Sequence, residues 1–114
     1  YRVKRMREIY DLYYLNLKDI VEMKDINDKD WIPWFVDIYL DNRNELVKYL
    51  KKHKIGCRPV YGEINKTPIY FNDNILENSN YICNNGLFLP SYVTLSDNDI
   101  IHICNIIKVF KNKE

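Results

Sequence analysis

The stretch SDNDIIHICNIIKVF, residues 96–110, commits its part of the chain to an amphipathic helix that must find a partner. Ser96 with Asp99 three residues on makes a capping box, which marks the start. Ile100, Ile103, Cys104, Ile107 and Phe110 then recur at three- and four-residue steps along one face. Such a stripe has to be buried against another element. Residues 3–18 offer a second helix of the same kind, with Val3, Met6, Tyr10, Tyr13 and Leu17 at similar spacing.

What lies between these helices alternates in type. Residues 18–30 are charged and aperiodic and form a connector. In WIPWFVDIYL, Pro33 precedes a strand over residues 34–40, and Asp37 requires at least one face of it to meet water or a polar partner. A helix follows, with Asn42 and Glu45 as a capping pair, Leu46, Val47 and Leu50 inward, and Gly56 as its stop. A strand begins at Gly56, where Cys57, Pro59 and Tyr61 alternate with Arg58 and Val60, and it gives way to a polar loop ending near Pro68 and Tyr70. Residues 74–85 read as a helix with Ile75, Leu76, Ile82 and Cys83 on its apolar side. Gly86 ends it, and GLFLP is a short buried strand halted by Pro90. Three short strands covered by helices give a small α/β (α+β) layer domain. Residues 1–30 are its entry helix and connector, and residues 31–114 its body.

Composition supports one packed domain. The 114 residues suffice for a single modest core, and 46% hydrophobic and 14% aromatic content is too rich for a disordered chain. A formal charge of +1 lacks the footprint of a nucleic-acid binder. The local run of Lys48, Lys51, Lys52, His53 and Lys54 suits the solvated last turn of a helix. Cys57, Cys83 and Cys104 are odd in number and contain no CxxC pair, so reduced thiols are expected rather than a disulfide framework or a zinc site. No apolar run approaches the ~20 residues of a membrane span. The opening YRVKRMREIY has neither a signal peptide's apolar core nor an initiating Met, and the expectation is that further chain precedes it.

A self-contained active site is missing from these residues. The three glycines make no phosphate loop. His53 and His102 lack partners at metal-ligand spacing and suit surface or capping roles. Neither serine nor cysteine sits in a nucleophile motif. Cys57 beside Arg58 fits a half-buried structural thiol better than an activated one.

The order of motifs nevertheless resembles a known family. Residues 34–110 are similar to the C-terminal small domain of the DegT/DnrJ/EryC1/StrS sugar aminotransferases. The helix KRMREIYDLYYLNL, with Lys4, Tyr10 or Tyr14, and Leu17, resembles the helix leading into that domain. WFVDIYLDNRNELVKYLKKHKIGCRPVY resembles its strand, its helix and its Arg-Pro strand. Pro68 and Tyr70 match the end of the run that follows, and NNGLFLPSYVTLSDNDIIHICNII resembles the Gly-Leu-x-Leu-Pro-Ser strand and final helix. The GLFLPS form resembles the branch of perosamine synthases and related sugar 4-aminotransferases.

The resemblance implies the small domain of a fold-type I enzyme dependent on pyridoxal 5'-phosphate (PLP). That enzyme would pass an amino group from a donor, by analogy glutamate, to a nucleotide-linked keto-deoxysugar. It implies a cytoplasmic homodimer, without nucleic-acid or membrane partners. The large domain, with the cofactor lysine, would lie upstream of Tyr1, so no residue here is assigned to catalysis, cofactor or metal. Trp31, Trp34 and the first helix would then carry apolar surface for that domain. The segment after the Arg-Pro strand would face the substrate cleft, making Arg58, Tyr61, Asn65 and Tyr70 substrate-binding candidates. Two readings of Arg58 stand side by side: a guanidinium fork offered to an acceptor or carboxylate, and an ion pair with Asp37 or Glu63. Tyr61 and Tyr70 are open to two readings as well, contact with sugar hydroxyls or packing against a neighbouring domain. Where the family shows Pro-x-His, this chain has Glu63, Ile64 and Asn65. Asn65 hydrogen-bonds but is neither acid nor base. A stand-alone binding or assembly module that keeps the fold without the chemistry is the alternative.

Overall fold

The computed structural model describes residues 1–25, 30–62 and 77–113 of the chain. Helix α1 (Arg2–Leu17) leads to strand β1 (Val36–Tyr39), helix α2 (Arg43–Lys52), strand β2 (Arg58–Pro59), helix α3 (Glu77–Asn85), strand β3 (Gly86–Leu89) and helix α4 (Asp97–Asn112). The strands pair antiparallel in the order β1-β3-β2, so the expected three-stranded sheet is present with β3 at its centre.

Alternation decides which face is core. Val36 and Ile38 are buried while Asp37 and Tyr39 are half-buried, the period-2 pattern of a strand with two unlike faces. Val36 pairs with Leu89 and Ile38 with Leu87, so the apolar side chains of both strands fall on one side. That side is closed by Ile9 and Tyr13 of α1, Leu46 and Leu50 of α2, and Ile100 and Ile107 of α4, all fully buried. Each such aliphatic side chain contributes roughly 1.5–3 kcal/mol.

The opening motif behaves as its residues require. Ser96 has extended backbone (φ −78°, ψ 157°), and its hydroxyl accepts the Asp99 N–H at 3.1 Å. Arg5 fixes the start of α4 to α1: one guanidinium nitrogen donates to the Leu95 carbonyl at 2.5 Å and another meets Asp97 at 2.9 Å. The free edge of β1 is patched by the connector, where Glu22 and Tyr39 exchange backbone hydrogen bonds of 3.2 and 2.9 Å.

Several expectations need correction. Val3 is 48% exposed, and Ile9 takes its place in the core, because the first turn of α1 meets α4 through Arg5 instead. Asn42 occupies the cap position of α2 but makes no side-chain hydrogen bond; its backbone (φ −99°, ψ 39°) is not the extended form that aims a cap inward. Val47 is half-buried rather than fully inward. Gly56 does not stop α2. The reversal occurs at Lys54, in the left-handed region at φ 61°, with the Ile55 N–H closing onto the Leu50 carbonyl at 2.9 Å.

Both early strands are shorter than expected, since Trp34 and Phe35 precede β1 and only Arg58 and Pro59 form β2. The described part of α3 buries no side chain: Ile82 is 40% exposed and Cys83 half-buried, while Ile75 and Leu76 lie outside the described residues. Trp31 is half-buried and packs edge-on against Tyr10 at 5.9 Å, whereas Trp34 is 81% exposed. Among the described residues no helix is long and apolar enough to cross a membrane.

Candidate functional site

The sheet face opposite the core is built by the alternation that buries Val36, Ile38, Leu87 and Leu89. Phe88 sits at its centre, paired with Asp37 on one flank and Arg58 on the other. Pro59 fits here because β2 is an edge strand, where a missing N–H costs no ladder bond, and it holds Arg58 extended. The Val60 N–H then donates to the Gly86 carbonyl at 3.0 Å.

Aromatic rings cover this face. Phe35 stacks on Phe88 with centroids 4.5 Å apart, Trp34 meets Phe35 edge-on at 6.5 Å, and Tyr61 meets Phe88 edge-on at 5.8 Å. Arg58 reaches over Tyr61, its guanidinium 6.0 Å from the ring centroid and donating to the phenol oxygen at 3.3 Å. Phe35, Cys57, Arg58, Phe88, Pro90 and Ser91 line an open concavity of about 340 Å³ beside them. Burial raises the Cys57 thiol pKa, which disfavours the thiolate and leaves it a packing residue.

Arg58 and Asp37 do not pair. Asp37 accepts a hydrogen bond from the Tyr39 hydroxyl, and Phe88 stands between the two charges in the sheet. Glu63, the other acid considered for Arg58, and the candidates Asn65 and Tyr70 lie outside the described residues. Arg58 and Tyr61 are therefore the two sequence candidates that the described structure brings together, and both are exposed. The ring system of Phe35 and Phe88 was absent from the sequence candidates. Its signal was the strand alternation itself, which sets Phe35, Asp37 and Tyr39 opposite Val36 and Ile38, and Phe88 opposite its two leucine neighbours.

A second polar cluster lies toward the Gly86 end. Tyr39 and Tyr81 stack at 6.2 Å, and the Tyr81 hydroxyl donates to Glu22. That hydrogen bond, then burial, pushes the Tyr81 pKa up to about 12. Burial first, then the bond to Asp37, raises that of Tyr39. Both phenols remain protonated donors to carboxylates and lack the acidity of a general acid near neutral pH. Among the described residues no group of three or more His, Cys, Asp or Glu is placed to hold a metal ion.

Comparison with known proteins places this arrangement. GDP-perosamine synthase of Escherichia coli O157:H7 is 30% identical over 116 residues, covering 95% of this chain and 31% of that protein. GDP-perosamine synthase of Vibrio cholerae is 28% identical over 122 residues, covering 96% and 33%. The chain thus spans about a third of the length of these relatives. The crystal structure of a DegT/DnrJ/EryC1/StrS aminotransferase from Brucella abortus superposes with a TM-score of 0.88 at 22% identity, over 96% of this chain and 31% of that one. The profile of one family matches residues 1–108. On that match the chain belongs to the DegT/DnrJ/EryC1/StrS aminotransferase family.

Proposed function

We propose that this chain is the substrate-facing small lobe of a PLP-dependent nucleotide-sugar aminotransferase of the perosamine synthase type. The enzyme passes an amino group from a donor such as glutamate to a nucleotide-linked keto-deoxysugar, and it acts as a homodimer. The observation that carries the reading is the exposed Arg58–Tyr61 pair beside an aromatic concavity, in a chain matched nearly end to end by an aminotransferase family.

The described residues do not fit the cofactor. A Schiff-base lysine needs a desolvated setting, and among the described residues every lysine is exposed or half-buried along helices and turns. Cofactor and chemistry are assigned instead to the portion of the relatives' length that this chain does not match. Arg58 supplies a fixed charge and a planar donor fork to the anionic substrate, with Tyr61 orienting it.

The test uses the polypeptide that carries this chain, assayed with a nucleotide-linked keto-sugar and glutamate. Arg58→Ala is expected to raise KM for the sugar nucleotide about tenfold, ~1.4 kcal/mol, while the thermal midpoint stays put. Equal loss of turnover and folding would assign Arg58 a structural role, and absence of turnover in the unaltered protein would favour a binding module that keeps the fold alone.

A further inference from the structure

Asn85–Gly86 is the one Asn-Gly pair among the 114 residues. Glycine has no Cβ to screen its amide nitrogen, so in such a pair that nitrogen can reach the asparagine side chain. The Gly86 nitrogen bonds to Asn85 Cγ, the Cγ–Nδ2 bond breaks, and the Gly86 amide proton leaves with the side-chain nitrogen as ammonia. Water then opens the cyclic imide at either carbonyl, which yields aspartate or β-linked isoaspartate. Packing keeps the pair in place, because a Cβ at residue 86 would run into the Val60 side chain and the Ile82 carbonyl oxygen.

The fold sets the rate of this chemistry. Asn85 closes α3; its side-chain amide donates to the Tyr81 carbonyl at 3.1 Å, and its own carbonyl accepts the Leu40 N–H at 3.1 Å. Helical backbone holds the Gly86 nitrogen away from Cγ, so attack waits until the last turn opens. That turn is weakly held. The described part of α3 buries no side chain, and Tyr81 and Ile82 are exposed. Polar contacts anchor it: Tyr81 on Glu22, Arg43 on the Cys83 carbonyl at 2.5 Å, and Leu40 on Asn85. An element with so few buried apolar contacts opens locally at far less cost than the core.

Damage at this position spreads. Gly86 begins the central strand opposite Tyr39, and its carbonyl accepts from the Val60 N–H at 3.0 Å and from Arg43 at 3.2 Å. Isoaspartate lengthens the main chain by one carbon at that junction, which draws Gly86 out of line with the strands on both sides. Either product sets a carboxylate at the C-terminus of α3, where the helix dipole opposes it. We propose that Asn85 is a site of spontaneous deamidation gated by the last turn of α3, and that its conversion unpins the Gly86 end of the sheet. Val60 is held there by Gly86, so its neighbours Arg58 and Tyr61 are displaced with it.

The experiment incubates the polypeptide that carries this chain in heavy-oxygen water near neutral pH, with peptide mapping by mass spectrometry. Heavy oxygen should enter at Asn85 before any other asparagine of residues 1–114, partly as isoaspartate. Unfolding in urea should speed the conversion at least about tenfold. Tyr81→Phe keeps an exposed ring and removes the hydroxyl from Glu22. It should raise the native rate about fivefold and leave the rate in urea unchanged. The converted fraction, separated by its added negative charge, should exchange its Leu40 and Val60 amide hydrogens faster than the unconverted one. Native conversion as fast as in urea would remove the fold's control, and none at all while the urea sample converts fully would remove the site. A Tyr81→Phe rate equal to that of the unaltered protein would disconnect the reaction from α3. Unchanged exchange at Leu40 and Val60 after conversion would show that the sheet does not depend on Asn85. Any of these results overturns the inference.

Discussion

The Tyr13 hydroxyl donates to the Pro90 carbonyl at 2.8 Å, joining the first helix to the end of the central strand across 77 residues of sequence. Tyr13 is fully buried, and burial raises its phenol pKa well above the ordinary value. The bond satisfies a carbonyl beyond the last ladder pair, where the chain turns toward α4. Tyr13→Phe keeps the ring and deletes one donor, leaving that carbonyl without this partner. The expected loss is about 1–3 kcal/mol of unfolding free energy, read as a lower urea midpoint with unchanged slope.

Alkaline pH attacks several such phenols together. Burial pushes Tyr10 up to about 12, and its hydroxyl donates to the Lys24 carbonyl at 2.7 Å. Tyr81 is held at about 12 by its bond to Glu22, and Tyr39 and Tyr13 are raised as well. Unfolded, each returns toward 10.0. A raised pKa means that the folded state holds its proton more tightly, so this stabilisation is complete below pH 10 and drains away as pH climbs toward 12. Denaturation midpoints measured across that window should fall steadily, with phenolate absorbance appearing in step with unfolding. A flat profile would refute the assignment.

Gly86 stands where α3 meets β3 and a side chain does not fit. A Cβ there would lie 2.5 Å from the Val60 side chain and 2.6 Å from the Ile82 carbonyl oxygen. Val60 can rotate, but a backbone carbonyl in the last turn of a helix cannot withdraw without moving α3. The Gly86 carbonyl is also engaged, accepting from the Val60 N–H at 3.0 Å and from Arg43 at 3.2 Å. Gly86→Ala should therefore cost roughly 1–3 kcal/mol, and crystallography of the variant should find α3 displaced. Gly56, with open space around its Cα, should accept alanine with little change in thermal midpoint.

How far the sequence foretold this structure depended on whether the signal was local. Ile100, Ile103, Cys104 and Ile107 were legible because helical periodicity and burial coincide there. The strand order was not, since β3 enters between β1 and β2 through pairings of distant residues that periodicity does not encode. Lys54 illustrates a local failure. Glycine is the cheap residue for a left-handed turn, yet the chain reverses at Lys54, two positions before Gly56, accepting a cost of about 1–2 kcal/mol so that Ile55 can cap the Leu50 carbonyl. At the candidate site, Arg58 and Tyr61 stood out as residue types, whereas Phe88 became visible only once the register set it between Arg58 and Asp37.

The two cap motifs test this distinction between sequence signal and realised geometry. Ser96 and Asn42 look alike in sequence, each a cap residue with an acid three positions on. In the structure only Ser96 makes the side-chain bond, because only its backbone is extended. Ser96→Ala removes a real acceptor from the N-terminus of α4, the helix on which Ile100 and Ile107 pack, and should cost about 1 kcal/mol. Asn42→Ala removes no such bond and should cost a few tenths at most, or about the surface-substitution average. Paired thermal melts at neutral pH decide the matter. Equal losses would mean that Asn42 caps α2 in solution, and equal indifference would mean that the start of α4 is held by Arg5 on Leu95 and Asp97 rather than by its own serine.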